Sequence, residues 1–230
     1  MESIVNSKQK CENCMALGHS ILEVLCSQNR TFLDNVKHCI TYKSETNLLT
    51  QGSLVRGVFC VNSGKIKIYK SSESGKEQII RFAKKGDLLG YRTLIAGHKL
   101  GVSATTIENT SVCFIEREDF YRMMKKEPQL KERLMEELSE DLLEMVDGLT
   151  NMAQRSARSR LCGALLVLME LYGDEPINLS RENLANFVGT AQESVIRLLS
   201  ELRMEGLIEI KGRKISILSQ KSISKIAQFN

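Results

Sequence analysis

The stretch that decides the fold is Ser180-Arg181-Glu182-Asn183-Leu184-Ala185-Asn186-Phe187-Val188-Gly189-Thr190-Ala191-Gln192-Glu193-Ser194-Val195-Ile196-Arg197. Ser180 is a good helix N-cap, because its hydroxyl can accept from the unpaired N–H groups of a first turn, and it predicts a short helix over 181–187. Val188-Gly189-Thr190 then reads as a tight turn. A second helix is expected from about 192 to 204, with Val195, Leu198, Leu199 and Leu202 inward and Gly206 as its stop. Two helices joined by a three-residue turn with glycine form a helix-turn-helix. Downstream, residues 207–210, the turn Lys211-Gly212-Arg213-Lys214 and residues 215–217 predict a basic hairpin, or wing. Upstream, Leu161, Leu165, Leu166, Leu168 and Met169 predict a buried helix ending at Gly173.

The outward positions of the second helix are Gln192, Glu193, Ser194, Ile196, Arg197, Ser200 and Glu201. Near the N-terminus of a helix lying in a major groove, Arg197 can pair with guanine O6 and N7, Glu193 can accept from cytosine N4, and Gln192 can reach adenine. Lys211, Arg213 and Lys214 on the wing suit phosphate contacts. A solvated helix whose Glu and Arg pair one turn apart would carry the same residues. The turn, the wing and the charge favour a polyanion: residues 154–230 hold 11 Lys+Arg against 8 Asp+Glu, whereas residues 1–153 hold 21 against 20.

Between residues 50 and about 116, Gly52, Gly64, Gly75, Gly86 and Gly97 recur every 11 or 12 residues. The runs between them are strand-like: 58–61, 65–70, 78–82, 104–107 and 112–115. In 65–70 the alternation puts Ile66 and Ile68 on one face and the lysines on the other. Short strands with glycine turns predict a sandwich or β-barrel, not βαβ units. From Pro128 the pattern becomes helical: Leu130, Leu134, Leu138, Leu142, Met145, Leu149 and Met152 recur at steps of four and three among charged residues. A helix lying on its own β-domain would show such a stripe. Its narrowness fits a two-helix seam better, with Leu134, Leu138, Leu142, Met145 and Leu149 as the contact row.

The whole chain has 230 residues, 42% hydrophobic and 26% charged, with two prolines and a net charge of +4, which excludes a disordered or collagen-like polymer. Its longest apolar run, 164–169, is far short of the ~20 residues of a membrane span. Residues 1–8 lack a signal-peptide pattern, so a cytoplasmic protein without membrane partners is expected. Seven cysteines, an odd number, argue for reduced thiols. Cys39, Cys60 and Cys162 read as core, and His19, His38 and His98 have no ligand partners at fixed spacing. No nucleophile–base pairing stands out, so neither a catalytic site nor an enzyme is expected.

In this order, the β-rich part, the long helix and the winged helix-turn-helix resemble the Crp–Fnr superfamily of bacterial transcription regulators, over about residues 11–217. The most specific pieces are Gly86-Asp87-Leu88-Leu89-Gly90, Arg158-Ser159-Arg160-Leu161 and the run 189–197. The resemblance implies an α+β protein with an N-terminal antiparallel β-roll of cupin-like or jelly-roll kind. Its segments would be a cysteine-containing stretch (1–22), a cyclic-nucleotide-binding-like sensor roll (23–126), a dimerisation helix (127–153) and a winged helix-turn-helix DNA-binding domain (154–230). It places base reading on Glu193 and Arg197, beside Gln192 and Ser194. Its implied partners are double-stranded DNA, a second copy of the chain and RNA polymerase. Gln192 stands where the cyclic-AMP branch has arginine and Ile196 where the oxygen-sensing branch has serine, which points to a different operator.

Two cofactors implied by the resemblance meet departures. In cyclic-nucleotide binders a glutamate after the Gly-Asp-x-x-Gly motif holds the ribose and a downstream arginine holds the phosphate. Here Tyr91 follows Gly90, and no arginine lies between Arg92 and Arg117, leaving only the displaced Arg92 and Lys99. Cyclic AMP is not expected to bind in the usual way. For an iron–sulfur cluster, Cys11, Cys14 and Cys113 match the oxygen-sensing branch, but Ser20 holds the third position, and Cys26 could replace it only if that region refolds. A cluster is therefore not the favoured reading, and Cys11 and Cys14 are at most a thiol switch. The alternative function is a redox or ligand sensor acting through protein partners, with Cys11, Cys14 and Cys113 as its thiol or cluster site.

Overall fold

The computed structural model describes residues 4–5 and 10–228. Of the N-terminal stretch 1–8 read for a leader, only Ile4 and Val5 fall within it. Two compact units are present, Met1–Lys76 with Ile80–Leu142, and Glu77–Ile79 with Leu143–Asn230. Among the described residues no helix is long and apolar enough to cross a membrane.

The first unit is built on two antiparallel sheets. One has the order β1-β2-β9-β4-β7, where β1 is Ile4–Val5, β2 His38–Tyr42, β4 Gly57–Ser63, β7 Leu88–Leu89 and β9 Thr110–Glu116. The other has the order β3-β8-β5-β6, with β3 Asn47–Leu49, β5 Ile66–Ser71, β6 Glu77–Ala83 and β8 Ser103–Thr106. Val61, Ile66, Ile68, Ala83, Leu89, Ala104 and Val112 form a core between neighbouring strands. Every strand run expected from alternation is present; β2, β3 and β7, which alternate poorly or are very short, were not anticipated. Gly64 turns β4 into β5 at φ 92°, and a Cβ there would stand 2.4 Å from Thr110 Oγ1. Lys67, on the face opposite Ile66 and Ile68, is 7% exposed, with its ammonium 4.7 Å from the Tyr69 ring centroid, a cation–π contact on the shared strand face.

The cysteine-containing N-terminal stretch packs into the core of the first unit. Short 3-10 turns at Cys11–Asn13, Leu17–His19 and Ile21–Val24 lead into α1 (Ser27–Val36). Cys11, Ile21, Leu22, Leu25 and Leu33 pack into one core with Tyr91, Phe120, Met123, Leu130 and Leu134. At Gly86 (φ 95°) a Cβ would lie 2.4 Å from the His19 carbonyl oxygen, so the motif glycine allows the turn to close on the roll. The run Ile21–Val24 is a 3-10 turn, and the first α-helix starts at Ser27.

Helix α2 (Tyr91–Ala96) follows the glycine motif, α3 (Arg117–Lys126) follows β9, and α4 runs from Pro128 to Gln154. Acidic Glu118 and Asp119 open α3 and Lys125 and Lys126 close it, matching the helix dipole. Proline at the first position of α4 gives up an N–H that has no partner in the helix. The apolar stripe on α4 divides. Leu130 and Leu134 are buried (Leu134 is 2% exposed), and Leu138 packs partly against the same core. Leu134 therefore does not belong to a seam: it is a core residue of the roll. Further along, Leu142 is 63% exposed, Met145 54% and Leu149 74%, with Leu143 and Val146 beside them.

The second unit contains α5 (Ala157–Tyr172), α6 (Arg181–Val188), α7 (Gln192–Met204), the hairpin β10 (Ile208–Lys211) and β11 (Lys214–Ile217), and α8 (Gln220–Gln228). Its core includes Leu161, Leu165, Leu168, Leu184, Val195, Leu199 and Leu202. Helix α8 was not foreseen. Ile223 and Ala227 bury its inner face, and the Ala227 carbonyl accepts from Arg155 Nη1 (2.7 Å) and Ser159 Oγ (3.0 Å).

Candidate nucleic-acid interface

The helix-turn-helix forms at the expected places. The Ser180 hydroxyl accepts from the Asn183 N–H at 3.0 Å, capping α6, and Gly189 ends that helix at φ 71°, a conformation favourable for glycine. Both Gly189 and Thr190 donate their N–H to the Ala185 carbonyl, which closes the turn. Arg160 fixes the turn from outside: Nε donates to the Val188 carbonyl (3.0 Å), Nη2 to Gly189 (3.3 Å) and Nη1 to Arg155 (2.7 Å). Sequence reasoning noted Arg160 as part of a motif without a role; it positions the turn.

Val195, Leu198, Leu199 and Leu202 bury the underside of α7. Gln192, Glu193, Ile196 and Arg197 are exposed on the other face, while Ser194 and Ser200 are half-buried. Arg197 reaches Glu201 at 3.3 Å, one turn on, not Glu193 one turn back; its side chain remains 70% exposed. Glu201 and Glu205 also receive Arg158, at 3.5 and 2.6 Å, so that arginine ties the start of α5 to the end of α7.

The wing pairs Ile208 with Ile217, Ile210 with Ile215 and Lys211 with Lys214, leaving Gly212-Arg213 as a two-residue turn. Ile177 adds a bridge to Ile215, with mutual N–H to carbonyl bonds of 2.9 Å, and this anchors the hairpin beside α6. Lys211, Arg213 and Lys214 are exposed, and Lys211 Nζ lies 3.0 Å from Glu209. A cleft of about 500 Å³ opens between Ser180, Arg181, Glu182, Gln192, Gly212 and Arg213. Arg181 reaches across it to the carbonyls of Arg213 (3.3 Å) and Gly212 (3.5 Å). Burial, and then the nearby Arg213 guanidinium, hold the Arg181 pKa below its ordinary value. Arg181 was missed because a helix's first residue shows no outward periodicity.

In the roll, Tyr91 is buried directly after the glycine motif, and Arg92 is engaged with its hydroxyl (3.3 Å) and in an ion pair with Asp141 on α4. Lys99 is exposed. Arg92 is therefore committed to protein groups, and the residues present do not form the usual cyclic-phosphate seat.

The cysteines proposed as cluster ligands have separate partners. Cys11 Sγ accepts from Lys37 Nζ at 2.8 Å, and Cys14 Sγ donates to Asn62 Oδ1 at 3.3 Å. Cys26 is exposed at the start of α1, its N–H bound to Glu127, and Cys113 contacts Cys39. Among the described residues no group of three or more His, Cys, Asp or Glu side chains is placed to hold a metal ion. Ser20, at the missing position, has its hydroxyl 3.8 Å from Cys60 Sγ.

Residues 39–127 match the cyclic nucleotide-binding domain and residues 159–226 the Crp-like helix-turn-helix domain. The chain is 26% identical over 215 residues to regulatory protein HlyX of Actinobacillus pleuropneumoniae, covering 90% of this chain and 89% of that protein. It is likewise 26% identical over 226 residues to the fumarate and nitrate reduction regulatory protein of Escherichia coli (strain K12), covering 94% and 90%. Its fold matches FixK2 from Bradyrhizobium japonicum with a TM-score of 0.77 at 22% identity, over 85% of this chain and 99% of that one. This chain belongs to the Crp–Fnr family of DNA-binding transcription regulators.

Proposed function

We propose that the protein is a homodimer that binds a pseudo-palindromic operator and acts there on RNA polymerase as recruiter or obstacle. The observation that carries this reading is the exposed row Gln192, Glu193 and Arg197 over a fully buried underside of α7. Placed in a major groove, that row meets base edges, and a dimer sets two such helices about one duplex turn apart. The cleft bounded by Arg181, Gln192 and Arg213, with Lys211 and Lys214 on the wing, suits backbone phosphates. The function is regulatory, without a catalytic step, in the compartment that holds the DNA.

A gel-shift titration against random and selected duplexes over a range of salt tests the reading. Affinity should fall linearly in log salt, and selection should enrich an inverted repeat. Lys214→Ala should weaken every duplex to a similar degree and reduce the salt slope by about one. A chain that bound no duplex at any salt would sink the proposal.

The sensor part works, in this reading, with neither cyclic AMP held in the usual way nor an obligatory cluster. The committed Arg92 supports the first point, and the separate partners of Cys11, Cys14, Cys26 and Cys113 support the second. Anaerobic incubation with iron and sulfide should yield no stoichiometric visible absorption and leave operator affinity unchanged. A stoichiometric band lost in both Cys11→Ser and Cys113→Ser would overturn it.

A further inference from the structure

We infer that Cys39 and Cys113 form a thiol–disulfide site, oxidised by small hydroperoxides, that links strands β2 and β9. The two residues stand directly opposite each other in the ladder, and their Sγ atoms lie 2.6 Å apart. A disulfide of ~2.05 Å can form from there by a small side-chain adjustment, without backbone movement. Both are free thiols in this structure.

A third thiol competes for Cys113. On its other side β9 pairs with β4, where Cys60 is the residue opposite Cys113, so three cysteines occupy one row across three strands. Their surroundings separate them. Burial pushes the Cys60 thiol up to about 12, which keeps it protonated and unreactive. The hydrogen bond with Cys113 holds the Cys39 thiol below its ordinary range, and the Lys37 ammonium adds to this. The same hydrogen bond, with burial, raises Cys113. Cys39 is thus the nucleophile and Cys113 its resolving partner. Cys39 is only 9% exposed, which admits a small oxidant and excludes a bulky protein disulfide.

The chemistry balances in two steps. The Cys39 thiolate attacks the terminal peroxide oxygen, forming an S–O bond as the O–O bond breaks; sulfur is oxidised to a sulfenic acid, and the departing oxygen, once protonated, leaves as water from hydrogen peroxide or as the alcohol from an organic hydroperoxide. Cys113 sulfur then attacks Cys39 sulfur, the S–S bond forms, and the hydroxide that leaves takes the Cys113 proton as water. The net change is two thiols and one hydroperoxide to one disulfide, one water and one alcohol, or two waters where the oxidant is hydrogen peroxide. Because β9 runs directly into α3, the bond would fix the strand that starts that helix.

The test is peroxide treatment of the full chain, alkylation of remaining thiols, digestion without reductant and mass spectrometry. The expected product is a Cys39–Cys113 linked peptide pair, lighter by two hydrogens than the separate thiols and restored by dithiothreitol. Cys39→Ser should slow peroxide-dependent thiol loss by about tenfold or more, and Cys60→Ser should leave the linkage intact. Unchanged thiols after peroxide, a Cys60–Cys113 linkage, or sulfinic acid without any disulfide would each overturn the inference. The peptide map of the unmodified sequence decides the matter even where a variant folds poorly.

Discussion

Leu142→Glu should convert the protein into a folded monomer with little affinity for its operator. In the single chain Leu142 is 63% exposed, so glutamate there leaves the fold of the subunit undisturbed. In a dimer joined along α4 the same carboxylate would lie at the seam without a cation, twice. An unpaired charge buried in this way costs about 3–5 kcal/mol, which raises a dissociation constant by on the order of 10²-fold or more. Sedimentation at micromolar concentration reads the mass, circular dichroism the fold, and gel shift the loss of two-site binding. A variant that stayed dimeric would place the association surface away from Leu142, Met145 and Leu149. Leu134→Glu is the informative contrast, because it puts the charge into the subunit's own core and should unfold the roll.

Arg197→Ala should lose discrimination at one base pair in each half-site, by ~1–3 kcal/mol, while binding to random duplexes changes little. Its exposed pair with Glu201 contributes at most about 1 kcal/mol to folding, so the melting temperature should hardly move. Selection of bound sequences from a random pool, parent against variant, gives the readout. If both enriched the same operator with the same stringency, α7 would not be the reading helix.

The helix-turn-helix was legible because its signals are local: Ser180 caps within three residues, and Gly189 supplies one backbone angle. The long helix was equally plain from its stripe, yet the stripe could not show that Leu134 and Leu142 face different neighbours, since period alone does not say what covers a face. Strands β2 and β3 lack clean alternation. The Cys39–Cys113 contact joins residues 74 apart in sequence, and only strand pairing brings them together. Of the site, Gln192, Glu193, Arg197 and the wing cations could be listed from helix geometry and turn chemistry; the cleft with Arg181, the bracing by Arg160 and the partners that hold Cys11, Cys14 and Cys26 are tertiary facts.

The contacts of Arg158 bear on how a helix with carboxylates near its end can approach a polyanion. Glu201 and Glu205, left bare, would repel a phosphate array whose charges are spaced ~1.7 Å apart along the duplex axis. Arg158 reaches both, and Arg197 meets Glu201 from the other side. Two acidic groups are thereby neutralised inside the domain before any DNA arrives. The incoming duplex then encounters the guanidinium and ammonium groups of the wing without an opposing field from the helix's far end, and none of those cations is diverted from phosphate to cancel it.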